Sequence, residues 1–195
     1  MNEIFVIDNV IPKKYQDEIE TVLTGQFPWY FYSEAVYKDT SNIPQSENSK
    51  TTPVFVHNFL NNEEVISDYY NLIKPLLYYV EEKVSINFEK VYRAKSNLLM
   101  PKTGYENFNH SYPHVDQLFP HLSLLYYVND SDGDTFFFDK KYDETAITNE
   151  VKLKVFNQIT PKKGRAILFD GLIYHSSSNP INSDKRIVLN YNLAT

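Results

Sequence analysis

The sequence predicts a mainly β protein with helices (α+β), in which helices near the N-terminus pack on one of two β-sheets. After Asn87, short runs rich in β-branched and aromatic residues follow one another, separated by the turn-forming sequences PKTG, NDSDGD, PKKG and NPINSDK. Before Asn87, two stretches have helical periodicity. Eight short strands preceded by helices favour a double-stranded β-helix, the jelly roll of cupin-like proteins.

The first elements are a strand and a helix. Glu3–Asp8 (EIFVID) is a short apolar run typical of a strand. Pro12 is expected to open a helix, where its missing N–H costs nothing, and Gly25 suits the end of that helix. The apolar face of this helix consists of Tyr15, Ile19, Val22 and Leu23.

Two further strands are predicted around a polar segment. They are Phe27–Ser33, which holds the one tryptophan (Trp29), and Pro53–Leu60. His57 in the second strand stands far from other possible ligands, so we expect a structural role for it. The polar segment Tyr37–Pro53 is long for a loop in a compact domain, and it is either a surface loop or a lid.

From Glu64 to Val84 the period is helical, and Pro75 predicts a kink or two abutting helices. The remaining chain is divided into seven strand-like runs and a short strand that carries His114. The seven runs are VYRAKSNLL, HLSLLYYVN, DTFFFD, KVFNQIT, RAILFD, IYHSS and RIVLNYNL. No repeat or linker divides the chain. We therefore expect one domain over residues 1–195, with 1–88 as helical and strand support and 89–195 as the jelly-roll core.

The composition limits the classes of function. The chain has 195 residues, of which 42% are hydrophobic and 23% charged, as in soluble globular proteins. Its net charge of −6 disfavours a nucleic-acid partner, and no apolar run is long enough for a membrane helix. With no cysteine, disulfides and thiolate chemistry are excluded. No signal peptide is recognisable, so we expect a soluble, cytoplasmic protein of open oligomeric state.

The candidate chemistry lies in His114-Val115-Asp116 and the distant His175. Alternate residues of a strand point to the same side, which would place the first imidazole beside the carboxylate. Two His and one carboxylate form the facial triad of non-haem Fe(II) oxygenases, with three positions left open. The HxD pattern alone is weak. Structural His and Asp side chains, or a Zn or Mn site without oxygenase chemistry, remain alternatives.

Arg186 follows His175 by eleven residues and opens the last strand. Val188 and Asn190 share its face, and no acidic residue occupies the alternate positions of that strand. A fixed cation beside an open metal site implies an anionic co-substrate, because Arg binds carboxylates with two parallel hydrogen bonds. A surface cation is the other interpretation of Arg186.

From about Tyr92 onward the chain resembles the Fe(II)/2-oxoglutarate-dependent oxygenases, in particular the prolyl 4-hydroxylase-like branch with its small phage and marine bacterial members. The resemblance rests on HVD, SLLYYVNDSDGDTFFFD, GRAILFDGLIYHSS and KRIVLNYN, with looser likeness in FPWYF and FVHNFL. It implies that His114, Asp116 and His175 bind Fe(II). It also implies that Arg186 and Tyr127 bind the distal carboxylate of 2-oxoglutarate. Related enzymes often carry Asn-x-Tyr before HxD, and here Asn97 is kept while Leu99 replaces the Tyr.

The resemblance further implies O2 as co-substrate, leaves ascorbate open as an accessory cofactor, and makes succinate and CO2 the products of 2-oxoglutarate. Because Asp116 is present, hydroxylation of a substrate C–H bond is expected rather than halogenation. The substrate would be a small molecule or a peptide, such as free or peptidyl proline. The alternative is a non-catalytic jelly-roll module that binds a metal or has a structural role.

Several other residues receive expectations. His110 and His121 either line the pocket or are structural, with the structural role favoured. The stretch Lys102–Pro113 is a candidate mobile wall, with Tyr105, Phe108 and Trp29 as candidate pocket residues. Lys162–Arg165 is expected to be a solvated basic turn. Ser176–Ser178 lacks the flanking glycines of a nucleophile elbow.

Overall fold

The structure is a computed structural model, and it describes residues 3–35, 49–102, 110–143 and 153–195. Within these ranges the chain forms three helices and eleven strands. The helices are α1 (Lys13–Thr24), α2 (Tyr70–Ile73) and α3 (Pro75–Val84). The strands are β1 (Ile4–Ile7), β2 (Tyr30–Tyr32), β3 (Val54–Asn61), β4 (Glu64–Val65), β5 (Lys90–Leu99), β6 (Leu122–Tyr127), β7 (Thr135–Lys141), β8 (Val155–Ile159), β9 (Ala166–Asp170), β10 (Ile173–Ser177) and β11 (Arg186–Ala194).

The strands form two antiparallel sheets. The large sheet has the order β1-β9-β6-β11-β5-β3-β2, with β4 paired to β3, and the small sheet has the order β10-β7-β8. Apolar side chains of both sheets meet between them, for example Tyr127 and Val188 from the large sheet and Phe137 and Ile173 from the small one. Two facing antiparallel sheets of this kind form a jelly roll, so the predicted fold class is confirmed.

The helices cover the other face of the large sheet. Ile19 and Leu23 of α1 and Leu76 of α3 pack into one core with alternate residues of the central strands. Those strand residues include Leu124, Tyr126, Leu189, Tyr191 and Leu193. Neighbouring residues of a strand face opposite sides of the sheet. In β6 and β11, therefore, one set of alternate residues faces this core and the other set faces the space between the sheets.

The helical segment after Glu64 is shorter than predicted. Asn62 and Glu63 have positive φ (49° and 67°), which turns the chain so that Glu64–Val65 pairs back on β3 as a strand. The prediction of helix from Glu64 is therefore wrong, and α2 begins at Tyr70. The two abutting helices predicted from Pro75 are present, with Pro75 in the first turn of α3, where its missing N–H is tolerated.

Two other local predictions need correction. The strand expected over Phe27–Ser33 is limited to Tyr30–Tyr32, and Trp29 packs against the helix-side core, with its Nε1 donating to Leu23 O at 3.2 Å. The assignment of Trp29 to the pocket is therefore wrong. The short strand expected at His114 is an isolated bridge to His175. Pro113 precedes His114 and cannot donate a ladder hydrogen bond, which interrupts regular pairing there.

The basic turn at Lys162–Arg165 is also not simply solvated. Lys163 contacts Asp17 and Glu20 of α1, each at 2.5 Å, and Arg165 binds Asp8 at 2.6 Å. These ion pairs attach the turn to the N-terminal elements.

The two candidate lid segments, Tyr37–Pro53 and Lys102–Pro113, lie largely outside the described residues. The structure does not describe 36–48 or 103–109, and the second of these ranges contains the candidate pocket residues Tyr105 and Phe108. None of the described helices has both the length and the apolar character needed to cross a membrane.

Candidate metal centre

Three side chains from two segments converge at one end of the space between the sheets. The possible ligand atoms of His114, Asp116 and His175 all lie within 4.8 Å of one another. The two His residues are also joined through their backbones, since each N–H donates to the other's carbonyl at 3.0 Å. His175 belongs to β10, so this double hydrogen bond fastens the HxD segment to the small sheet.

Both imidazoles have a fixed orientation. His114 Nδ1 lies 3.1 Å from Tyr112 O, and His175 Nδ1 lies 3.0 Å from Ile173 O. A carbonyl only accepts, so Nδ1 carries the proton in each ring and the Nε2 lone pair is left for a metal. Burial lowers the pKa of His114 to about 4, with a further contribution from His175, so His114 is neutral at physiological pH. Neutral imidazole is the form that binds metals.

Asp116 is buried but well supplied with donors. Arg93 contacts its Oδ1 at 2.5 Å, while the side-chain amides of Asn190 and Asn192 donate to Oδ2 at 2.9 and 3.2 Å. Burial alone would raise the pKa of Asp116. The charges of Arg93 and Lys95 and the contact with His175 outweigh it and hold the pKa well below its ordinary value. Asp116 is therefore ionised, as a metal ligand must be.

Arg186 is almost fully buried, with 2% of its surface exposed, so its interpretation as a surface cation is wrong. Its Nε donates to Gly133 O at 2.7 Å and its Nη2 donates to Thr135 Oγ1 at 2.8 Å. Tyr127 donates its hydroxyl to the same Thr135 oxygen at 2.7 Å, and its ring lies 5.8 Å from the guanidinium carbon. Burial lowers the pKa of Arg186, and no carboxylate of the described residues forms an ion pair with it.

His114 and His175 of the triad line a small cavity of about 40 Å³ together with Arg186. Its other walls come from both sheets: Asn97, Leu125, Thr135, Ser176, Ser177, Val188 and Asn190. Asn97 Oδ1, Asn190 Oδ1 and Ser176 Oγ are buried and have no hydrogen-bond partner among the described residues. Buried polar groups are normally paired, so these atoms indicate a polar ligand. The donor set of two imidazoles and a carboxylate fits Fe(II). The guanidinium of Arg186, which forms no ion pair with a described carboxylate, fits a carboxylate ligand.

The sequence-predicted residues therefore fall into three groups. His114, His175, Arg186 and Asn97 line the cavity, and Asp116 lies within 4.8 Å of the ligand atoms of the two His residues. Tyr127 is connected to it through Thr135. The structural interpretation holds for the remaining His residues: His110 packs on Phe136 and Phe138, the His121 ring packs against Gly171, and His57 is bonded to Pro28 O and Ser67 Oγ.

Four polar residues around the centre were missed from the sequence. Arg93 and Asn192 bind Asp116, Thr135 binds Arg186, and Lys95 lies near the triad. A signal existed for two of them: Arg93 and Lys95 alternate with Asn97 along one strand, an unusual run of polar side chains on a face that points between the sheets.

Known proteins with this fold are found among solved structures. An oxidoreductase of the 2OG-Fe(II) oxygenase family from Burkholderia pseudomallei superimposes with a TM-score of 0.64 at 13% identity, covering 98% of this chain and 84% of that one. The non-heme alpha-ketoglutarate-dependent epimerase SnoN from nogalamycin biosynthesis gives 0.62 at 12% identity, covering 98% and 78%. A prolyl-4-hydroxylase from Pseudomonas putida gives 0.55 at 11% identity, covering 100% and 94%. At such low identity the likeness confirms the fold alone.

Comparison by sequence adds nothing to this likeness. No protein-family model matches the chain, and a search among curated proteins finds no match either.

Proposed function

We propose that this protein is an Fe(II)- and 2-oxoglutarate-dependent dioxygenase that hydroxylates a C–H bond of its substrate, with residues 1–195 forming one oxygenase domain. The observation that carries the proposal is the presence of two complementary groups in one cavity. A His-Asp-His set with free ligand atoms lies beside a buried guanidinium that no described carboxylate neutralises. A metal and a dicarboxylate would satisfy both.

The roles of the residues follow from their hydrogen bonds. His114 and His175 present Nε2 lone pairs because the neighbouring carbonyls hold their Nδ1 protons. Arg93, Asn190 and Asn192 keep Asp116 ionised and prevent it from turning away.

Arg186, placed by Gly133 and Thr135, is suited to bind the distal carboxylate of 2-oxoglutarate. When bound, iron would supply the activation of dioxygen, and 2-oxoglutarate would supply electrons by conversion to succinate and CO2.

The proposal of hydroxylation rests on Asp116, because a carboxylate ligand occupies the position that a halide would need. The fold is shared by proteins named as an epimerase and as a prolyl-4-hydroxylase, so the fold leaves the reaction and the substrate open. Free or peptidyl proline is one substrate to test. A second candidate is a non-catalytic module, which the low identity to these neighbours keeps in consideration.

The test combines metal binding with co-substrate turnover. Purified protein is titrated anaerobically with Fe(II), then exposed to oxygen and 2-oxoglutarate, and succinate is measured. We expect one Fe(II) per chain and succinate that depends on both iron and oxygen. His114→Gln and His175→Gln should lose iron, whereas His121→Gln is the matched control for a buried His outside the triad.

Each outcome separates the two candidates. Iron retained at full stoichiometry by the His114→Gln/His175→Gln double variant would show that the triad is not the metal site. Folded, iron-loaded protein that forms no succinate in the presence of cell extract, peptides or free amino acids would favour the non-catalytic module. Stimulated succinate formation, followed by detection of a product heavier by one oxygen atom, would identify the substrate.

A further inference from the structure

A second cavity lies at the edge of β3 that faces away from β5. β2 pairs with β3 as far as Val56, and β4 pairs with it from Leu60, so no described strand covers the edge between these positions. The described residues there line an open cavity of about 530 Å³. No described residue lines both this cavity and the one beside the triad. The walls include Tyr30 and Tyr32 of β2, His57 and Asn58 of β3, and Asp68 and Tyr69 before α2.

Three aromatic rings at this cavity present faces in two directions. The ring of His57 lies 6.3 Å from that of Tyr30 at an angle of 31°, and 5.9 Å from that of Tyr69 at 88°. The imidazole is held in place, because its Nδ1 donates to Pro28 O at 2.8 Å and its Nε2 lies 2.8 Å from Ser67 Oγ. The two tyrosines are open to solvent, with 62% of Tyr30 and 37% of Tyr69 exposed. Exposed ring faces thus surround a fixed base.

Asp68 gives this cavity a negative charge that no described residue neutralises. Its carboxylate forms no hydrogen bond or ion pair with another described residue, and no lysine or arginine is among the described residues that line the cavity. The faces of aromatic rings are also negative, because of their quadrupoles. Carboxylate and rings together therefore favour a cation.

The kind of cation follows from the same residues. A metal ion needs several oxygen ligands, whereas Asp68 is the one carboxylate among the described residues of the wall. Aromatic faces bind bulky, weakly hydrated cations such as quaternary ammonium groups, with the charge within about 6 Å of a ring centroid. A neutral ligand could stack on the same rings but would leave the charge of Asp68 without a counter-ion.

We propose that this cavity binds a methylated ammonium group, with Tyr30, Tyr69 and His57 as its aromatic walls and Asp68 as its counter-charge. The group belongs either to a free small molecule or to a methylated lysine side chain, which present the same chemistry to the rings. The site is separate from the cavity beside the triad, so this inference does not rest on the proposed function.

The experiment is a chemical-shift titration of the full-length protein. The probes are choline, the alcohol in which an uncharged tert-butyl group replaces its trimethylammonium group, and the capped amides of trimethyllysine and lysine. Wild type is compared with Tyr30→Leu, Tyr30→Phe, Tyr69→Leu and Asp68→Asn. Tyr78→Leu and Glu64→Gln are the matched controls, because both change exposed side chains outside the cavity. Thermal unfolding is measured first, to establish that each variant is folded.

We expect choline to bind saturably and its uncharged isostere to bind about tenfold less tightly, since the isostere loses the attraction to the rings and to Asp68. Tyr30→Leu and Tyr69→Leu should each weaken choline about twofold to fivefold, as the loss of one exposed cation–π contact would give. Tyr30→Phe keeps the ring and should recover most of the affinity. Asp68→Asn should also weaken choline about twofold to fivefold, and both controls should resemble wild type.

The two lysine probes identify the source of the group. Trimethyllysine should bind more tightly than lysine, because a primary ammonium is strongly hydrated and loses more on contact with a ring. Tighter binding of trimethyllysine than of choline would support a methylated side chain as the ligand. Tighter binding of choline would support a small molecule.

Several results would overturn the inference. Equal affinity for choline and its uncharged isostere would show that the rings bind by stacking alone. A cavity that neither cation saturates, or a loss in the controls as large as in the cavity variants, would refute the site. Choline should bind the His114→Gln/His175→Gln double variant as it binds wild type, and a loss there would move the cation to the metal centre. Choline binding by a protein that forms no succinate would refute the proposed function and leave this inference intact.

Discussion

Replacing Thr135 by Val should remove the hydrogen bond that holds Arg186 Nη2 at the cavity wall. The two side chains have nearly the same shape, but the hydroxyl of Thr135 accepts hydrogen bonds from Arg186 Nη2 and from Tyr127 at 2.8 and 2.7 Å. Both donors are buried. Each buried donor left unpaired costs roughly 1–3 kcal/mol, and more for a charged group. We therefore expect the free energy of unfolding to fall by about 4 kcal/mol.

For a chain of this length such a loss lowers the unfolding temperature by about 8–16 °C. The measurement is thermal unfolding of metal-free protein, with 2-oxoglutarate affinity measured separately on iron-loaded protein. The control is Thr52→Val, because the Thr52 hydroxyl is also buried but has no hydrogen-bond partner in the part of the chain that the structure describes. That substitution should be neutral or stabilising, since it removes an unpaired polar atom.

Tyr127→Phe provides a second check on the same network. It removes the other donor, so the Thr135→Val/Tyr127→Phe double variant should lose about 1–2 kcal/mol less than the sum of the single variants. Additive losses would show that the two side chains do not share the Thr135 oxygen. A Thr135→Val protein as stable as wild type would refute the account of Arg186 altogether.

Two other predictions concern the charged groups. Arg186→Lys keeps the charge but loses the planar guanidinium that can form two parallel hydrogen bonds, so the affinity for 2-oxoglutarate should fall about tenfold to hundredfold while Fe(II) binding is unchanged. The measurement is a titration of iron-loaded protein with 2-oxoglutarate. Equal affinity of wild type and variant would show that Arg186 does not bind 2-oxoglutarate. Arg93→Met leaves Asp116 with amide donors alone, so unfolding free energy at neutral pH should fall by about 3 kcal/mol. The pKa of Asp116 is lower in the folded protein than in the unfolded chain, so ionised Asp116 stabilises the fold above its unfolded-state pKa, and this stabilisation is lost as the pH falls through its folded-state pKa. The difference in unfolding free energy between wild type and Arg93→Met should therefore become smaller in acid. A difference that does not change with pH would contradict the role of Arg93 in keeping Asp116 ionised.

The sequence was sufficient for elements whose determinants are local. The runs of β-branched and aromatic residues that became β6 and β11, with the turn sequences between the strands, predicted the jelly roll, and Pro75 predicted the break between α2 and α3. The segment at His114 was predicted less well, because its pairing with His175 depends on a contact across 61 positions that Pro113 keeps from becoming a regular strand.

The polar residues around the centre were harder to predict for a related reason. Which of the polar residues on β5 faces Asp116 depends on the register between β5 and β11, and the sequence does not state that register. Lys163 illustrates the same limit on the surface. Its basic turn looks like any solvated turn until the fold brings Asp17 and Glu20 of α1 beside it.

The mutual backbone hydrogen bonds between His114 and His175 have a consequence for the protein before any metal arrives. The separation of the two ligands is set by main-chain geometry, as in a hydrogen-bonded pair of antiparallel strands, and does not depend on side-chain packing alone. The amide protons of both residues should then exchange slowly with solvent in the metal-free protein, at rates governed by opening of the small sheet. Binding of iron would slow that exchange further. The ratio of the exchange rates without and with iron would report how much of the site is already assembled in the metal-free protein.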